Sequence, residues 1–222
     1  MDSRVIVYAG PSLVGTGISI AEQNGLTWRP PARRGDIASL VADEVGEPGV
    51  IGLADGTFHA YPSVGHAELR LAMEEGWRVY GLCSMGAIRA AEMKHMGMAP
   101  WGSVAARFCD EPDFADDEVA VLHSADAPFL SLSEPLIHIR EFLSHMVVVG
   151  VLSKSEADTV LERMKTRWYG ERTLLELRRQ LENLVSVAMH EQLVSALSAF
   201  SRYRLKQLDL ISFVNERPWS SG

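Results

Sequence analysis

The stretch from Trp77 to Met93, WRVYGLCSMGAIRAAEM, constrains this chain most. Val79, Tyr80, Leu82 and Cys83 form an apolar run interrupted only by Gly81. A strand buried on both faces has this character. Gly81 weakens such a strand and marks a place where another part of the chain comes close. After Ser84, the small residues Gly86, Ala87, Ala90 and Ala91 recur three and four apart. They give a helix one thin face, able to pack tightly against a sheet. Ser84 therefore falls where a strand ends and a helix begins. The first N–H groups of that helix have no partners within it. They are capped by the Ser84 hydroxyl or are free to hold a developing oxyanion. Ser84 is thus either an ordinary N-cap or a nucleophile at an elbow. Gly86 supplies half of a G-x-S-x-G pattern, but Leu82 stands where the first glycine belongs. The residues alone leave both readings open.

Two other apolar runs end in the same way. Val5 to Tyr8 predicts a strand that feeds Gly10-Pro11-Ser12, and Gly49 to Ala54 predicts one that ends at Asp55-Gly56. In an open α/β sheet, ligands bind outside such strand ends. Gly-Pro-Ser and Asp-Gly also make plain turns. Gly10, Pro11, Ser12 and Asp55 are accordingly candidate substrate contacts, with the Met85 and Gly86 N–H groups as oxyanion donors. Between these strands, Trp28 to Gly35 (WRPPARRG) reads as an extended, basic, solvated loop, and Asp36 to Glu44 as a helix. Gly65 to Glu75 reads as a helix with His66, Leu69, Ala72 and Met73 on one face. His66 is there either a capping or core histidine or a site histidine. Arg89 and Glu92, three apart, form an exposed ion pair or contact a partner. Asp116, Asp117 and Glu118 are adjacent, so their side chains point in different directions and do not converge on one metal ion. An acidic loop facing solvent or a partner is the expectation, with Asp116 and Asp117 as partner contacts. No metal site and no cofactor are expected.

From Pro135 the strand signals fade and apolar residues recur at helical spacing, as in Ile139, Phe142, Leu143 and Met146. Ser153 to Glu156 is a capping box ahead of one such helix. The expectation is an α/β protein: a parallel-sheet core over residues 1–130 and a helical C-terminal region over 131–222. The net charge of −8 argues against a nucleic-acid partner or an anionic membrane surface. No apolar run reaches membrane-spanning length, and the start of the chain lacks the apolar segment of a signal peptide. A cytoplasmic location follows as the expectation. The two cysteines, Cys83 and Cys109, have neither zinc nor disulfide-framework spacing and are expected as free thiols.

Several segments together resemble the TfuA-like proteins. They are V-Y-A-G-P-S-L at 7–13, P-P-A-x-x-G-D-I at 30–37, Asp55-Gly56, H-x-E-L at 66–69, S-M-G-A-I-R-A-A-E at 84–92, G-M at 97–98 and D-D-E-V-A-V at 116–121. The resemblance covers roughly Val5 to Arg140. It implies an accessory role in peptide backbone thioamidation beside a YcaO enzyme. It also implies hydrolysis of a thiocarboxylated ThiS-like sulfur carrier, releasing sulfide. The family's serine–lysine pair maps its serine onto Ser84 and its lysine onto Ala67, within H-A-E-L. With alanine at 67, His66 is the nearest alternative base by sequence. The rival implication is a catalytically silent adaptor that recruits the YcaO enzyme and the carrier.

Overall fold

The computed structural model describes residues 4–20, 25–43, 47–57 and 61–220. Two compact units are present, Met1–Phe114 with Lys206–Gly222, and Ala115–Leu205. The first holds a five-stranded, all-parallel sheet of β1 (Val5–Tyr8), β2 (Leu26–Arg29), β3 (Val50–Leu53), β4 (Arg78–Gly81) and β5 (Ala99–Pro100), in the order β2-β1-β3-β4-β5. This is a doubly wound order. Its switch point lies between β1 and β3, where the chain leaves one direction across the sheet and takes the other.

The strand residues explain the two covered faces. Alternation along β1 and β3 sends Ile6, Tyr8, Ile51 and Leu53 to one side and Val5, Val7 and Val50 to the other. On the first side they pack with residues of α1 (Asp36–Asp43), α2 (His66–Glu74) and α3 (Met85–Met93), among them Ile37, Leu40, Leu69, Ala72 and Ala90. On the second side they pack with Leu210 and Phe213 of α9 (Leu205–Glu216) and with Trp219. Helix α4 (Gly102–Asp110) follows β5, and the buried Asp209 of α9 accepts hydrogen bonds from the Ser103 and Val104 N–H groups at its first turn. That carboxylate fills the role of a cap for α4.

Two sequence expectations change here, and a third runs beyond the described residues. Leu26–Arg29, placed partly in a solvated loop, is an edge strand that among the described residues pairs with β1 alone. Position 44, expected to end α1, lies outside the described residues. The unit boundary falls between Phe114 and Ala115 rather than at 130, and α9 returns to the α/β unit. Phe213 is the reason for that return, since it packs against Gly52 of β3, where any side chain would meet its ring.

The second unit is helical: α5 (Leu136–Val148), α6 (Lys154–Lys165), α7 (Leu174–Glu182) and α8 (His190–Ser198). Ile139, Phe142, Leu143, Val160, Leu177, Leu181 and Leu193 are among its core residues. The predicted capping box is present: Ser153 Oγ accepts the Glu156 N–H, and the Glu156 carboxylate accepts the Ser153 N–H at 2.8 Å. Among the described residues, no helix is long and apolar enough to cross a membrane.

Candidate active site

The site is built at the switch point. Asp55, the second residue past β3, is buried and holds the loop after β1. Its carboxylate accepts the Gly10 and Ser12 N–H groups, both at 2.8 Å, and the Ser12 hydroxyl at 2.7 Å. Charge-assisted bonds of this kind are among the stronger ones. Two adjacent strand ends are thereby locked together.

Ser84 enters the same neighbourhood from β4. Its N–H donates to the Ala54 carbonyl at 3.1 Å, one residue before Asp55. The hydroxyl is buried yet makes no capping hydrogen bond to α3. That sets aside the ordinary N-cap role. Cys83, just before it, has φ of 62°, a left-handed conformation that L residues take at a cost of roughly 1–3 kcal/mol. In this turn the left-handed residue precedes the serine. The turn is held by contact too close for any side chain: a Cβ on Gly86 would sit 1.6 Å from the Leu53 carbonyl oxygen. A Cβ on Gly81 would likewise meet the Gly86 carbonyl oxygen at 2.1 Å. The small-residue face read from the sequence is therefore pressed onto β3 and β4.

Residues from α9 complete the cluster, and the sequence reading did not include them. The Cys83 thiol donates to the Lys206 carbonyl at 3.1 Å. Burial pushes that thiol well up, and the Asp209 and Asp55 carboxylates push it further. The Lys206 charge opposes this shift of the thiol. Of the four lysines in the chain, Lys206 alone is buried. Gln207, also buried, donates from Nε2 to the Pro11 carbonyl at 3.4 Å. A lysine and a glutamine near the start of an apolar helix read by default as its solvated side. Only the packing of α9 on the sheet reveals them.

Several expected contacts go elsewhere. The Gly86 N–H donates to the Ala54 carbonyl at 3.3 Å, and the Gly10 and Ser12 N–H groups are committed to Asp55. Of the proposed oxyanion donors, the Met85 N–H is left at the first turn of α3. Pro11 contributes its carbonyl, which Gln207 takes. His66 is exposed and pairs through Nε2 with Glu92 at 2.8 Å. Glu92 lies eight residues along the chain from Ser84, about 12 Å up α3 at 1.5 Å per residue. Arg89 joins them, giving hydrogen bonds to Glu92 at 2.7 Å and to the Val64 carbonyl at 3.0 Å. Ala67 faces solvent on α2. The buried side of α2 is Glu68, Leu69 and Ala72. Glu68 accepts the Gly35, Ile37 and Gly65 N–H groups at 3.0, 3.1 and 2.7 Å, which fixes the roll of the helix and turns His66 and Ala67 outward.

In the helical unit, Asp116 is exposed, while Asp117 is engaged by Arg172. Arg172 is itself buried and donates further to the carbonyls of Asp117, Met164, Lys165 and Arg167. Glu118 pairs with Arg140, and Glu134 with Arg204 and His138. Both cysteines are free thiols. Among the described residues, no group of three or more His, Cys, Asp or Glu side chains is placed to hold a metal ion.

The family model for TfuA-like protein matches residues 55–173, more than half of the chain. The chain belongs to the TfuA-like family. No curated protein matches it. The matched region of this TfuA-like protein opens on Asp55, includes Ser84, and takes in Arg172 at its far end. Lys206 and Gln207 lie outside it.

Proposed function

We propose that this TfuA-like protein is an accessory of YcaO-dependent peptide backbone thioamidation and hydrolyses a thiocarboxylated ThiS-like carrier to deliver sulfide. The observation that carries the reading is Ser84: a buried hydroxyl at a strand-to-helix turn, free of capping duty, next in the chain to a thiol that donates to the carbonyl of the buried Lys206. Ser84 Oγ attacks the thiocarboxylate carbon, and the carbon–sulfur bond breaks. The products are an ester of the carrier on Ser84 and hydrosulfide. Water then cleaves the ester, giving the carrier carboxylate and regenerating the hydroxyl. The thiocarboxylate starts as an anion, so attack needs local positive charge and a proton route to the departing sulfur. Lys206 serves the two tasks in turn: as the neutral amine it receives the Ser84 proton, and the ammonium so formed supplies the positive charge and passes that same proton to the departing sulfur. The Met85 N–H, at the positive end of α3, supports the oxyanion.

Lys206 thereby takes the part that the sequence comparison gave to position 67. The test is single-turnover sulfide release from the thiocarboxylated carrier. Lys206→Met is expected to slow it by roughly 10²–10⁴-fold, the usual worth of positioned acid–base help. Ala67→Lys is expected to change it little, since that side chain stands in solvent. If Lys206→Met retains the wild-type rate, the lysine assignment fails. If the wild-type protein releases no sulfide yet still raises the activity of its YcaO enzyme, the silent-adaptor reading replaces this one.

A further inference from the structure

The amide of Gln207 has one end used and one end unused. Its Nε2 faces the Pro11 carbonyl oxygen at 3.4 Å, which fixes the orientation of the group, because exchanging the two ends would set oxygen against oxygen. Oε1 is buried and has no hydrogen-bond partner among the described residues. Leaving a buried acceptor unpaired costs roughly 1–3 kcal/mol, and folded proteins seldom carry one. The other orphaned side-chain atom among the described residues, Trp28 Nε1 on β2, is a donor.

The position of Gln207 says what its acceptor is for. Pro11 belongs to the loop that Asp55 clamps at the switch point. Lys206, the preceding residue, takes the Cys83 thiol on its carbonyl, and Cys83 leads directly into Ser84. Gln207 thus stands between the clamped loop and the serine turn. Both N–H donors of that loop are consumed, so an incoming group finds there an acceptor in want of a donor.

We infer that Gln207 Oε1 accepts the backbone N–H of the last residue of the substrate, making the site specific for an acyl group at the end of a peptide chain. The inference rests on the proposed hydrolysis for the identity of the acyl group, and on the orphaned acceptor for the rest. In a peptide-type thioacid the N–H is one carbon removed from the reacting carbonyl, so binding it orients the carbon toward Ser84. Simple thioacids of similar size lack that donor.

The test uses two pairs of probes with the full chain. The first pair is acetyl-glycyl-glycine and its analogue methylated on the terminal amide nitrogen, which mimic the product and report binding without turnover. The second pair is the corresponding thioacids, which report kcat/KM. The wild-type protein is expected to prefer the N–H probe by roughly tenfold to a hundredfold in each pair, the worth of one buried hydrogen bond. Gln207→Met keeps the length of the side chain and removes the acceptor. It is expected to erase the preference and to melt no lower than the wild type. Equal binding of both probes by the wild type, binding of neither at millimolar concentration, or an undiminished preference in Gln207→Met overturns the inference. An N–H preference in binding without any thioacid hydrolysis overturns the proposed reaction and leaves the Gln207 assignment standing.

Discussion

The Ser84 cluster of the α/β unit and the charged interior of the helical unit both bury polar groups, and they differ in how many of those groups are left without partners. In the helical unit every buried charge named here is matched. The Arg172 guanidinium meets one carboxylate and four carbonyls, Glu118 meets Arg140, and Glu134 sits between Arg204 and His138. In the α/β unit the buried carboxylates Asp55, Glu68 and Asp209 are matched too, but around Ser84 other groups are not. Ser84 caps nothing, Gln207 Oε1 bonds to nothing among the described residues, and Cys83 is held in a left-handed conformation. A fully satisfied buried network specifies and rigidifies a fold. An unsatisfied or strained group is retained where the surrounding structure over-determines it, and such groups gather at functional sites. The contrast marks the Ser84 cluster as the place where buried polarity is not spent on holding the fold.

The comparison is sharpest at Arg172. Arg172→Met leaves four carbonyls without their donor and Asp117 without its counter-charge. Asp117 is half exposed, so the cost falls mainly on the carbonyls, and leaving buried acceptors without their donor costs about 1–3 kcal/mol each. The loss is expected in urea unfolding followed by hydrogen exchange in α6 and α7, with exchange in β1 and β3 little changed. A loss below about 1 kcal/mol would reduce Arg172 to the rank of a surface pair.

A smaller effect comes from pH. Burial pushes the Glu134 carboxyl up, but the hydrogen bonds and charges of His138 and Arg204 outweigh burial and hold it below its ordinary value of 4.5. A carboxylate lowered in the fold adds stability above that value and loses it as pH falls through the lowered one. Asp209 in the α/β unit has the opposite sign. Its burial outweighs the Ser103 and Val104 hydrogen bonds and raises it above 3.8, so ionisation of this group costs stability as pH rises through that window. Below about pH 4.5 the helical unit is therefore expected to weaken with acid, and Glu134→Gln to flatten that dependence. An unchanged acid slope in Glu134→Gln, read from exchange in α5, would remove Glu134 from the account.

What the sequence made legible follows from which signals are local. β1, β3 and β4 were readable because strands buried on both faces are continuous apolar runs. The α3 contact was readable from Gly86, Ala87 and Ala90. β2 was hidden because it is an edge strand, partly exposed and followed at once by Pro30 and Pro31, which speak for a loop. α9 lay within the region read as helical, but nothing in the sequence assigned it to the α/β unit, since periodicity tells which face is apolar and not which core receives it. That kept Lys206, Gln207 and Asp209 out of the candidate site. His66 was misplaced for a related reason: the apolar stripe on α2 is completed by Glu68, a charged residue that only its three N–H partners explain.

The central claim is that Ser84 is a nucleophile kept free of structural duty. Its direct test is single-turnover hydrolysis of the thiocarboxylated carrier by the wild type and by Ser84→Ala, with intact-mass analysis of the quenched mixtures. The account predicts a transient carrier ester on the wild-type chain, absent from Ser84→Ala, and a sulfide-release rate lower by at least about 10²-fold in the variant, with the melting temperature nearly unchanged because no cap is lost. Sulfide release at the wild-type rate from Ser84→Ala would contradict it.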